Sequence, residues 1–322
     1  MRRVRYYEYG GPQVLTVEEA DLPTPGPGQV RLRTEAIGAN FVDTKMRAGA
    51  GGIFHWPLPG SPTGDVVGTV DAVGPDVDAA RLGQRVAALA LDAFADAVLA
   101  DADWLAPVPD GLDFAAASML STAGPIALRL LRTGQLAGGE TVLVHSAAGG
   151  IGSLAVQLAK LLGAGTVIAT ASTKEKLAFA HELGADVGVD YTANDWPEQV
   201  RAAAPDGVDV VLDAVGGSTL TSSLDLLAPF GRAVVYGAAS GELVSLPVVN
   251  IFALKAVVGF SLLAWRAARP DQARAEMTEV AQYLWDDKLK TTVHASLPLT
   301  EAAEAHRLLE DRTTIGRLLL IP

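Results

Sequence analysis

The stretch TVLVHSAAGGIGSLAVQLAKLLGA, Thr141 to Ala164, holds the residue types most directly tied to ligand chemistry. Val142 to Val144 read as an apolar strand, and Ala147, Gly149, Gly150, Ile151 and Gly152 as a small-residue turn. From Ser153 onward, Leu154, Leu158, Leu161 and Leu162 fall on one helical face. A strand–turn–helix of this kind gathers free N–H groups and the positive end of a helix dipole, the combination that binds a pyrophosphate. The glycines would let the backbone approach that group, and Gly152 would let helix and sheet pack closely. The dinucleotide fingerprint G-x-G-x-x-G has Ala147 at its first glycine, so an ordinary strand-to-helix turn stays open as the alternative.

The next strand end bears on which dinucleotide such a turn would serve. A free ribose 2′-hydroxyl typically meets an Asp or Glu about 20 residues past the loop. Here the chain reads ATASTKEKL, with Ser172, Thr173, Lys174 and Lys176 and no acid at the strand end. Hydroxyls and cations suit a 2′-phosphate, which favours NADPH over NADH; a solvated helix start with incidental lysines is the competing reading. Two further strand ends are rich in small residues: Asp213 to Gly217, including Val215, and Gly237 to Gly241, including Ser240. They leave room for an adenosine and a nicotinamide ribose, or else form helix-capping turns.

The elements that must position these residues follow from the pattern of the chain. After Gly139, strands of four to eight residues alternate with helices of about ten, the signature of βαβ units and a parallel sheet. From Val4 to about Leu105, short strands and Pro- and Gly-rich turns predict a compact, mostly antiparallel β domain. The chain ends with a helical run from Asp271, a helix in TEAAEAHRLLED and a strand in GRLLLIP, too little for a domain of its own. Returning this tail to the first domain makes that domain discontinuous.

Composition narrows the function. The 322 residues are 49% apolar and 19% charged, enough for two domains with real cores. A formal charge of −12 opposes nucleic-acid binding. With no cysteine there is neither a disulfide nor a thiolate zinc site, and the five histidines have no metal-ligand spacing. The N-terminus has no apolar run of a signal peptide, and Ile251 to Trp265 is too short to span a bilayer. A soluble, cytoplasmic protein without membrane contact is expected.

With these pieces in place, the sequence resembles the quinone oxidoreductase (zeta-crystallin-like) branch of the medium-chain dehydrogenase/reductase superfamily. The resemblance runs nearly end to end, on GANFVDTKMRAG, PLPGSPTGDVVGTVDAVG, VLVHSAAGGIGSLAVQLAK, VDVVLDAVGG and AHRLLEDRTTIGRLLLIP. It implies an α/β fold: a Rossmann doubly wound parallel sheet domain at 122–263 and a GroES-like β domain built from 1–121 with 264–322. Members of the branch typically read A-x-x-G-x-x-G, which makes Ala147 the family form. Zinc-dependent relatives carry a metal-binding Cys where this chain has Asn40, and a His-Glu pair where it has Gly64-Asp65, so no metal is expected. The resemblance places Asn40, Asp43 and Lys45 at the catalytic site. It places Ser172 and Lys176 at the 2′-phosphate, Tyr191 on the adenosine side, Gly237 and Ser240 at the fifth strand end, Phe260 and Ser261 after the sixth, and Arg317 where the tail folds back near the cofactor crevice, as a cofactor-binding residue. Lys45 and Gly124 depart from residues common in quinone reductases of the branch. The expected activity is hydride transfer from NADPH to a quinone. The alternatives are an ene-reductase acting on an α,β-unsaturated carbonyl or enoyl thioester, and an NADPH-binding protein without turnover. A homodimer is expected, with the β-rich segment Gly241 to Leu263 as its contact.

Overall fold

The computed structural model describes residues 1–322, the side chain of Ile53 excepted. The chain divides into two compact units, Met1–Thr122 with Met277–Pro322, and Ala123–Glu276.

The first unit begins with β1 (Arg2–Arg5), β2 (Thr16–Glu19), β3 (Gln29–Gly38), α1 (Phe41–Ala48) and β4 (Gly64–Val73), followed by β5 (Arg85–Ala90), β6 (Ala97–Asp101), β7 (Ala106–Pro107) and α2 (Phe114–Ala117). In β3, Val30, Leu32 and Ile37 are fully buried, and they pack with Val66, Val70 and Val86 of the neighbouring strands and with Phe94. Gly49 stops α1 in the left-handed conformation (φ 66°), which glycine adopts without steric cost.

The second unit holds α3 (Ala123–Thr133), β8 (Thr141–Val144), α4 (Gly150–Leu161), β9 (Thr166–Ala171), α5 (Lys174–Glu182), β10 (Val187–Asp190) and α6 (Trp196–Ala203). It continues through β11 (Val208–Asp213), α7 (Gly217–Leu226), β12 (Leu227–Val235), β13 (Ala256–Gly259) and α8 (Leu262–Ala268). The six strands are parallel throughout, in the order β10-β9-β8-β11-β12-β13. This is the doubly wound order, whose direction reverses between the first and fourth strands, here β8 and β11. The interior is Val, Leu and Ile from the central strands, as a sheet covered on both faces requires. Helix α7 gives way to β12 at Leu227, and Pro229 two residues on cannot continue the hydrogen bonding of a helix.

The long helix α9 (Pro270–Trp285) carries the chain from the second unit back to the first, and the junction falls within it at Glu276/Met277. Then follow β14 (Val293–Pro298), α10 (Ala302–Glu310) and β15 (Arg317–Ile321). The returning strands complete the first unit's sheet, in the order β14-β15-β3-β4-β5-β7 with β6 also on β3. It is antiparallel except for β14 and β15. No helix among the described residues is long and apolar enough to cross a membrane.

Candidate active site

In the second unit the turn after β8 is fixed by the strands beneath it. The Ala147 N–H donates to the Thr170 carbonyl (3.1 Å), and the His145 N–H to the Leu212 carbonyl (3.2 Å). The left-handed residue of the turn is Ser146 (φ 54°) and not Ala147, whose methyl is fully buried. The alanine in the fingerprint's first glycine position therefore meets no backbone demand that only glycine could satisfy. Gly149 is the N-cap of α4, and Gly150, Ile151 and Gly152 form its first turn, where a helix leaves its N–H groups without intrahelical acceptors. At Gly152 a Cβ would collide with the Ser146 carbonyl, whereas at Gly149 the nearest atom would stand 3.4 Å away.

Sequence reasoning missed His145, which sits under this turn. Its Nδ1 lies 2.9 Å from Thr170 Oγ1 and its Nε2 2.8 Å from Ser223 Oγ. The Ser223 hydroxyl donates to the Thr219 carbonyl, so Nε2 carries the proton and Nδ1 accepts from Thr170. Burial pulls the imidazole below its ordinary range, against the opposing pull of Asp213, and a neutral ring satisfies both hydroxyls. One observation available in the sequence was that a histidine in an apolar strand needs polar partners.

Around the second strand end the structure brings four expected residues together. Thr173 caps α5, its Oγ1 accepting from the Lys176 N–H (3.3 Å), and the Tyr191 N–H donates to the carbonyl of Ala171, next to Ser172. Lys176 is only 8% exposed, unlike a lysine at a solvated helix start. The fourth and fifth strand ends are likewise joined, with Ala239 and Ser240 donating to the carbonyls of Ala214 and Val215 (both 3.0 Å). Gly237 is required there, because a Cβ would stand 2.7 Å from the Ala214 carbonyl. Buried Asp213 accepts through Oδ1 from the N–H groups of Val215 and Gly216 and so shapes the same turn. Phe260 donates its N–H to the Val235 carbonyl (2.9 Å), and Ser261 caps α8.

In the first unit, Asn40 occupies the N-cap of α1 yet makes no capping hydrogen bond. Asn at this position usually satisfies a first-turn N–H. Its carboxamide instead lies between two charges: Oδ1 accepts from Arg317 Nη1 (2.9 Å), and Nδ2 donates to Asp65 Oδ2 (3.3 Å). Asp65 also accepts from Ser121 Oγ, Thr122 Oγ1 and Arg317 Nη2. Arg317, expected to face the cofactor from the tail, is 4% exposed and directs Nη1 to Asn40 and Nη2 to Asp65 and the Ser118 carbonyl, while its buried Nε has no partner. The reason is the register of β15, which starts beside the end of β3 and turns residue 317 inward.

Asp43 is buried rather than presented. Its Oδ1 takes the Thr63 N–H (2.7 Å) and its Oδ2 has no partner, so burial pushes the carboxyl up to about 7. Lys45 is half-buried on α1, with its Nζ 5.4 Å from the centre of the Phe41 ring. Among the described residues no group of three or more His, Asp or Glu side chains is placed to hold a metal.

Residues 26–110 match the family model described as alcohol dehydrogenase GroES-like domain, and residues 150–280 the one described as zinc-binding dehydrogenase. The zinc of that second description has no fitting donors in this chain: cysteine is absent, and Asp65 is already saturated by a guanidinium, an amide and two hydroxyls. A quinone oxidoreductase of Pseudomonas aeruginosa is 36% identical, with 100% of this chain and 99% of that protein covered. A 2-haloacrylate reductase of a Burkholderia species is 39% identical, over 98% and 97% of the two chains. The crystal structure of Escherichia coli quinone oxidoreductase complexed with NADPH superposes with a TM-score of 0.90 at 30% identity, covering 100% of both chains.

Proposed function

Because this chain belongs to the quinone oxidoreductase branch of the medium-chain dehydrogenase/reductase superfamily, a branch of oxidoreductases, we propose that it is a zinc-independent reductase that uses NADPH to reduce quinones. The observation that carries the reading is the Asn40 carboxamide, withheld from helix capping and held between Arg317 and Asp65. A primary amide with one N–H still available is a donor for an oxyanion developing on an acceptor.

NADPH, when bound, supplies the hydride. The first-turn amides of α4 at Gly150, Ile151 and Gly152 would hold the pyrophosphate, and Ser172, Thr173 and Lys176 the 2′-phosphate. Tyr191 would hold the adenosine side, and Val215, Gly237, Ser240, Phe260 and Ser261 would hold the remainder. Asn40 orients the acceptor oxygen and stabilises its charge, and solvent protonates a reduced quinone.

A second reading, reduction of an α,β-unsaturated carbonyl, draws support from the 39% identity to a 2-haloacrylate reductase. In that reaction hydride arrives at the β-carbon, Asn40 holds the enolate oxygen, and solvent supplies the proton that reaches the α-carbon. Steady-state NADPH oxidation with 9,10-phenanthrenequinone, 2-chloroacrylate and crotonyl-CoA separates the two: preference for the quinone supports the first reading, and preference for an alkene the second.

The same proposal includes a cytoplasmic location and a homodimer. Among the described residues strand β13 pairs only with β12, and the segment leading into it exposes Val248 (66%), Val249 (63%) and Phe252 (73%). An open edge beside an apolar patch is the surface that a second copy covers.

A further inference from the structure

We propose that Arg317 and Asp65 are positioning residues, which hold the Asn40 carboxamide in one orientation and strengthen it as a donor to the acceptor oxygen. The inference rests on the role given to Asn40 above and goes beyond it by assigning the groups that set that role.

Five side chains and one carbonyl meet at this point from four places in the chain: Asn40 after β3, Asp65 in β4, Arg317 in β15, and Ser118, Ser121 and Thr122 after α2. Of these six residues only Asn40 is not buried. The cluster is thus a closed charge pair that shows one neutral amide outward. Burying an ion pair costs desolvation that Coulomb attraction only partly returns, so such a pair is weak evidence for stability alone. Here every oxygen of Asp65 is matched by donors, and the guanidinium is shared between the carboxylate and the Asn40 oxygen.

Backbone space is reserved for this arrangement. A Cβ at Gly38 would overlap the Arg317 guanidinium, so the glycine at the end of β3 lets that group lie across the strand. Orientation follows from donor and acceptor types. Arg317 can only donate and Asp65, when ionised, can only accept, so the amide oxygen faces the cation and the amide nitrogen the anion. A flipped amide would set like against like at both ends. The charge on Arg317 also withdraws electron density through Oδ1, which strengthens the remaining Nδ2–H as a donor.

The test is a double-mutant cycle on the full-length protein, read as the single-turnover rate of NADPH oxidation by 9,10-phenanthrenequinone, with NADPH affinity and melting temperature measured beside it. Asn40→Ala is expected to slow turnover at least about tenfold, as loss of an oxyanion donor does. Arg317→Met should slow it comparably, and adding it to Asn40→Ala should cost no more, because both act through one amide. Arg317→Lys keeps the buried charge but lacks the fork that reaches both partners, so it should be intermediate and also non-additive; it decides the matter if Arg317→Met does not fold. Rate losses that multiply in the cycle, or an Arg317→Lys protein with the wild-type rate, would overturn the proposal while leaving Asn40 its role. An Asn40→Ala protein of wild-type rate would overturn both.

Discussion

Gly152 lies so close to the Ser146 carbonyl that no side chain fits between them. Helix α4 therefore meets its preceding turn backbone to backbone, and the first-turn amides take their direction from that contact. Gly152→Ala should displace the turn, lower the melting temperature and weaken NADPH binding by at least about tenfold. Gly149→Ala meets only an ordinary contact at 3.4 Å and should fold normally, so any loss of NADPH affinity there reports on the ligand's approach. Fluorescence titration and thermal denaturation of both variants check this; equal melting losses would contradict it.

Lys176 is enclosed beside the Thr173 cap, close to Ser172 in the chain. NADPH should bind at least about tenfold more tightly than NADH, a difference of about 1.4 kcal/mol. Lys176→Ala should remove most of that preference while leaving NADH affinity nearly unchanged. Parallel losses for both cofactors would show that the lysine contacts no 2′-phosphate.

These local features were legible in the sequence because each lies within one βαβ unit, where spacing fixes geometry. Ala147 shows both the reach and the limit of such reading. The substituted glycine was visible, but only the structure moves the left-handed conformation to Ser146. The Asn40 cluster was legible in part: Asn40 and Arg317 both stood out by resemblance, but with Arg317 toward the cofactor and not against Asn40. Its partner Arg317 stands 252 residues from Asp65 along the chain, and no local pattern relates two such positions. Only the return of β15 to the first unit's sheet brings them together. The junction inside α9 was hidden for the opposite reason: an unbroken helix carries no local signal where one unit ends and the other begins.

Two buried groups give stability opposite slopes with pH. His306 is fully buried with neither ring nitrogen hydrogen-bonded, and burial, aided by the charge of Arg47, takes it from 6.5 down to about 3. The unfolded chain then binds the extra proton, so this contribution is whole above about pH 6.5 and is lost as pH falls toward 3. His306→Phe, beside Phe94, should lose about 1–2 kcal/mol less than wild type between about pH 6.5 and pH 5. Asp43 is raised from 3.8 to about 7, so its contribution is whole below about pH 3.8 and is lost as pH rises through 7. Asp43→Asn should gain on wild type from about pH 5 to pH 8 in thermal denaturation. A difference independent of pH would contradict the assignment in either case.

The apolar segment before β13 predicts an oligomer that charge can break. Val249→Asp with Phe252→Asp should convert a dimer to a monomer in light scattering while leaving the melting of the second unit nearly intact, since both side chains are exposed. A wild-type monomer would contradict the dimer, and a dimer unaffected by the pair would place its interface elsewhere.

In the proposed function, hydride passes from NADPH to an electron-poor acceptor oriented by Asn40. Its most direct test is NADPH consumption with 9,10-phenanthrenequinone by wild type and Asn40→Ala, each titrated with NADPH in parallel. Saturable turnover in the wild type, slowed at least about tenfold in the variant with NADPH affinity retained, is the predicted result. Tight NADPH binding without turnover of quinone or activated alkene, or an Asn40→Ala protein as fast as wild type, would contradict it.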